Sequence, residues 1–225
     1  MQDAFTHCEE LVRSGDKDRY LATLFAPAKY RRGLFALYAF NLEVARVREI
    51  AREPMPGEVR LQWWAEVLSG TGRGEVAANP VAAALREVVV RFRLPPRMLA
   101  DLIEARRFDL YDEPMASLAT LELYAEKTSS SVIELAARIL NDGRDPGIRE
   151  LARHAGIAYA ITGLLRAFPI HTARYQLYIP AEVLQRHRAH SEDVFAEKPT
   201  LELRAARQKI HCRRHCAMAD GRNGR

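Results

Sequence analysis

Residues 28–52 read AKYRRGLFALYAFNLEVARVREIAR, and this stretch decides the fold class. Leu34, Tyr38, Leu42 and Ala45 recur at the spacing of one helical face, so the segment is expected to form a long amphipathic helix. Glu53-Pro54 ends it, because a residue before proline avoids the helical region. The same period extends outward in both directions. Residues 3–14 and 18–26 read as short helices. Pro56 opens a helix carrying Leu61, Trp64 and Leu68, closed by Ser69-Gly70-Thr71-Gly72. Asn79 caps a helix that starts with Pro80, and Pro95-Pro96 starts another to about Tyr111. Ser117 caps a run from Leu118 to Leu140, stopped by Asn141-Asp142-Gly143. Pro146 opens the last long helix, through Gly156 to Phe168, where Pro169 stops or kinks it. Residues 180–187 and 199–210 read as shorter helices. No run alternates like a strand. The expectation is an all-α chain of antiparallel helices forming one domain over residues 1–210. Residues 211–225, HCRRHCAMADGRNGR, show no apolar period and are expected to be a disordered basic tail.

Composition narrows the function classes. The chain has 225 residues, 48% of them apolar and 28% charged, the mix of an ordinary globular protein. Three cysteines cannot build a disulfide framework, which points to a reducing compartment. The net charge is +5, and Arg213, Arg214, Arg222 and Arg225 against Asp220 place +3 of it in the tail. The remaining residues carry no field or motif that argues for nucleic acid. No apolar run approaches the roughly 20 residues that span a bilayer, and the N-terminus has neither a signal nor a transit pattern. A cytoplasmic location is expected, with at most peripheral contact at the inner membrane.

Three stretches carry a resemblance. They are Asp18-Arg19-Tyr20 with Arg31-Arg32-Gly33-Leu34-Phe35-Ala36-Leu37-Tyr38-Ala39-Phe40, then Arg60-Leu61-Gln62-Trp63-Trp64 with Asn79-Pro80-Val81, and Gly156-Ile157-Ala158-Tyr159-Ala160-Ile161-Thr162-Gly163-Leu164-Leu165-Arg166 with Tyr178-Ile179-Pro180. In order and spacing they resemble the squalene/phytoene synthase family, which joins two isoprenyl diphosphates head to head. The resemblance implies an isoprenoid-synthase-like antiparallel helical bundle around a central cavity. It also implies further helices beyond the position of Ile210, which are expected to be missing here. Family chemistry uses two aspartate clusters. Carboxylates one turn apart point the same way and hold Mg²⁺, which neutralises the departing diphosphate.

This sequence departs from that pattern at both clusters. The family's Asp-Asp-x-x-Asp falls on Ala45, Arg46 and Glu49, and its Asp-x-x-x-Asp on Ala167 and His171. One carboxylate remains of five, and Arg46 and Arg48 oppose a dication. The spelling from Gly163 to His171 is similar to a branch of the family that has lost its catalytic aspartates and includes an assembly factor for respiratory complex I. The resemblance therefore implies a non-catalytic protein without a metal cofactor, with a respiratory-complex assembly partner or an isoprenoid or lipid ligand. The alternative is an active head-to-head prenyl transferase that uses Mg²⁺.

Other residues complete the candidate site. Arg46, Arg48 and Arg166 could form a metal-free anion site through paired guanidinium bonds. Tyr38, Phe40, Tyr159 and Phe168 are candidate cavity walls, against plain core packing. His171 is a candidate proton donor, against a structural role. Glu49 reads better as an ion-pair partner of Arg46 or Arg52 than as a metal ligand. His211, Cys212, His215 and Cys216 have spacing that could hold zinc, but only weakly.

Overall fold

The computed structural model describes residues 3–51, 53–72, 78–196, 198 and 200–223. Among these residues every regular element is helical, as the period demands. Where the sequence reading draws one domain, the chain divides into two compact units, residues 1–110 with 132–148 and residues 111–131 with 149–225.

The first unit contains α1 (Ala4–Gly15), α2 (Lys17–Leu24), α3 (Ala28–Ala45), α4 (Val47–Ile50), α5 (Pro54–Ser69), α6 (Pro80–Arg91) and α7 (Pro96–Arg106). A 3₁₀ turn, Arg107–Leu110, follows α7. The helix starts are those that local chemistry dictates. The Asn79 side chain accepts a hydrogen bond from the Ala82 N–H, and Pro80 and Pro96 stand in first turns where no N–H is needed. Helix α3 packs against α1 and α6 and buries residues on nearly every side. Phe40 and Trp64 meet edge to face, 5.0 Å between ring centroids, and both are fully buried. Gly143 ends the chain's return into this unit with φ of +82°, and a Cβ there would lie 2.5 Å from the Phe92 carbonyl oxygen.

The second unit contains α8 (Leu118–Ala125), α10 (Arg149–Arg166), α11 (Phe168–Ala173), α12 (Ala181–Arg186), α13 (Ser191–Phe195) and α14 (Leu201–Asn223). Ser117 caps α8 by accepting from the Thr120 N–H. The helix expected over Leu118–Leu140 is present, but with a π-helical turn at Glu126–Ser130, and its last part is α9 (Ser131–Leu140). The division between units passes through this helix. Helix α10 packs on that turn at Gly156, where a Cβ would stand 2.2 Å from Ser130 Oγ and 2.4 Å from Ser130 Cα. Only glycine permits that approach.

Helix α10 also packs along α14. The disordered tail expected after Ile210 is corrected here: α14 continues to Asn223. No glycine or proline occurs from Leu201 to Asp220, so nothing local stops the helix before Gly221. Arg213, inside the expected tail, pairs with Glu122 of α8.

Candidate functional site

The first motif position lies where α3 stops. Ala45 is its last residue, and Arg46 leaves the helical region with φ of −96° and ψ of 6°. The Arg46 guanidinium donates to the Gly15 carbonyl at 3.2 Å, satisfying an orphan acceptor at the C-terminal end of α1, where positive charge is favoured. Gly15 has no side chain to obstruct it; a Cβ there would lie 3.0 Å from either Arg46 terminal nitrogen. Glu49 Oε2 stands 4.0 Å from Arg46 Nε across one turn. The carboxylate expected at the end of the first motif is thus an ion-pair partner of Arg46. Arg48 is partly buried on α4, and Arg52 lies outside the described residues.

The second position also lies at a helix break. Helix α10 ends at Arg166, Ala167 turns away with φ of −85° and ψ of 6°, and Pro169 sits in the first turn of α11. The missing proline N–H and its ring clash account for the break. The backbone of His171 still donates to the Ala167 carbonyl at 2.9 Å. Its ring lies against Tyr178, 4.7 Å between centroids. Arg166 is exposed.

Mg²⁺ takes hard oxygen ligands. The five positions offer one carboxylate, held by an arginine, together with two alanines, an arginine and an imidazole. That donor set does not fit a Mg²⁺–diphosphate site. Among the described residues no three His, Cys, Asp or Glu side chains gather in a way that could hold a metal. Cys212 is exposed on α14, and the side chains of His215 and Cys216 lie outside the described residues.

The candidate cavity residues separate. Phe40 is corrected from cavity wall to core: it is fully buried against Trp64. Tyr38 is partly buried, with the Arg19 guanidinium 5.4 Å from its ring centroid. Tyr159 is half-exposed on α10. Phe168 does line a cavity. Within the second unit, Leu121, Ile161, Leu165, Phe168, Tyr178 and Ile210 line a small cavity of about 20 Å³, and His171 reaches its wall. Beside it runs an open groove of about 310 Å³ lined by Leu165, Arg204, Arg207, Gln208 and His211. The Arg207 guanidinium lies 4.5 Å from the Phe168 ring centroid. This basic groove is absent from the sequence reading. Its signal was the spacing of Arg204, Arg207 and His211 along one stripe of α14.

Two titrating groups in the first unit are shifted by their surroundings. Burial, reinforced by the negative charges of Glu43 and Asp3, pushes the Cys8 thiol up to about 12. Burial also raises the Glu43 carboxyl, against the opposing charges of Arg60 and His7. Cys8 is therefore an inert core thiol.

A chain whose described elements are all helical, in this order, has an isoprenoid-synthase-like fold. Residues 12–224 match the squalene/phytoene synthase family, and the chain belongs to it. NADH dehydrogenase (ubiquinone) complex I, assembly factor 6, from Rattus norvegicus is 32% identical over 221 residues, 98% of this chain and 66% of that protein. The Homo sapiens protein of the same description is 32% identical over 96% of this chain and 65% of its own length. The chain thus spans just under two thirds of these relatives. The 15-cis-phytoene synthase of Synechocystis is 25% identical over 86% of this chain and 60% of that enzyme. Squalene synthase HpnC from Alicyclobacillus acidocaldarius superposes with a TM-score of 0.80 at 22% identity, covering 97% of this chain and 82% of that one. At that identity the likeness establishes the fold, which is the expected class.

Proposed function

We propose that this protein is a non-catalytic member of the squalene/phytoene synthase family that acts in the assembly of the respiratory NADH dehydrogenase complex. One observation carries the first half: the single carboxylate left among the five motif positions is ion-paired with Arg46. A diphosphate leaving group needs several hard ligands arranged around its metals, and none is supplied at 167 or 171. Support for the second half comes from the relatives described as complex I assembly factor 6, which match nearly the whole chain. Among the described residues no helix is long and apolar enough to cross a membrane, so contact with the inner membrane would be peripheral.

The test is disruption of the gene in its own cell, followed by measurement of assembled NADH dehydrogenase and its activity in membranes. The expected result is a loss of assembled complex, restored equally by the parent gene and by the Glu49→Ala variant. Normal assembly without the protein would overturn the proposal. Restoration by the parent but not by Glu49→Ala would favour a metal-dependent enzyme instead.

A further inference from the structure

We propose that the second unit holds a metal-free site for a phosphorylated amphiphile, with the phosphate on Arg204 and Arg207 and the first carbons of the chain in the adjoining cavity. This goes beyond the assembly proposal, and either can fail without the other.

The cavity and the groove share a wall. Leu165 lines both, Phe168 lines the cavity while carrying Arg207 over its ring, and Ile210 faces the cavity between groove residues Arg207 and His211. One turn of α14 thereby presents an apolar side chain inward and cations outward. Helix α10 contributes Ile161, Leu164 and Leu165 from one face, and Phe168 follows at the start of α11. Tyr159 and Gly163 lie on the opposite face of α10.

Its chemistry is that of an anionic head and an apolar tail. Arg204 and Arg207 are exposed, and neither has a carboxylate partner among the described residues. Two guanidinium groups one turn apart can share the oxygens of a single phosphate through paired hydrogen bonds. The cavity beside them, about 20 Å³, has room for about one water molecule behind predominantly apolar walls. A void of that character gains little from water and gains contacts when methylenes fill it. Each buried methylene improves affinity about fourfold. The narrow space admits the first one or two carbons and no more.

The experiment measures binding to the full chain in EDTA by calorimetry, using inorganic phosphate and then ethyl, butyl and hexyl phosphate. Affinity is expected to rise at least about tenfold from inorganic phosphate to butyl phosphate, to level off by hexyl phosphate, and to fall with added salt. Arg204→Ala and Arg207→Ala should each weaken every member of the series about tenfold or more, and circular dichroism should show unchanged folding because both side chains are exposed. A parallel arm uses phosphatidylcholine vesicles with and without phosphatidic acid. Arginine-dependent binding to the acidic vesicles assigns the phosphate to a membrane lipid, and binding to the alkyl phosphates alone assigns it to a free amphiphile; both uphold the site. No binding of hexyl phosphate, affinity independent of chain length, or affinity unchanged by both substitutions would overturn it.

Discussion

Residues 45–49 and residues 167–171 each lie at the end of an 18-residue helix, and their polar groups are accommodated differently. At the first, the replacing arginine turns to the Gly15 carbonyl and to Glu49, so the polar groups satisfy one another. At the second there is no acid; Pro169 restarts the helix and His171 lies tilted against Tyr178 at the edge of an apolar cavity. Both positions therefore sit where a long helix breaks, yet the second keeps its one-turn spacing, because the His171 N–H still donates to the Ala167 carbonyl at 2.9 Å.

This comparison is broken or sharpened most strongly by the packing behind each position. Trp64→Ala removes a fully buried indole from the core against α3, with an expected loss of about 4 kcal/mol, or about 10 °C in Tm. Thermal unfolding checks this, and a shift under about 2 °C would contradict the packing described. Gly156→Ala, behind the second position, forces α10 away from Ser130 and is expected to cost about 2 kcal/mol by chemical denaturation. A neutral result there would mean that the π-helical turn yields freely.

Arg46→Ala tests the first position directly. It removes the bond to Gly15 and a half-exposed ion pair, so the expected loss is below about 1 kcal/mol and is reduced by salt. Glu43→Gln should have the smallest effect. Burial raises the Glu43 carboxyl in the folded state above its ordinary 4.5. Its stabilising contribution is therefore fully present below about pH 4.5 and is lost as pH rises through the raised value. Thermal unfolding is expected to show the variant more stable than the parent at pH 7 and the two converging as pH falls below that range.

Much of the fold was legible because its signals are local. The Asn79 and Ser117 caps and the prolines at 80 and 96 act within one turn, and the structure places helix starts there. The break at Arg46 was not legible, since arginine is a good helix former and the attraction comes from Gly15, 31 residues away. The π-helical turn was hidden for a similar reason: it accommodates α10 through Gly156 and has no composition of its own. The start of α5 at Pro54 instead of Pro56, and the short helices α11 and α13, fall within the uncertainty of patterns only a turn or two long. The altered motifs could be read residue by residue from the family resemblance. The basic groove could not, because it exists only once α14 lies along α10 and sets Arg207 over Phe168.

The most direct test of the central claim is the release of diphosphate from farnesyl or geranylgeranyl diphosphate by the purified protein with Mg²⁺. One carboxylate held by an arginine cannot assemble the metals, so release is expected to equal the protein-free control at every Mg²⁺ concentration. Release above that control which requires Mg²⁺ and disappears in Glu49→Ala would contradict the proposal and make this chain a prenyl transferase.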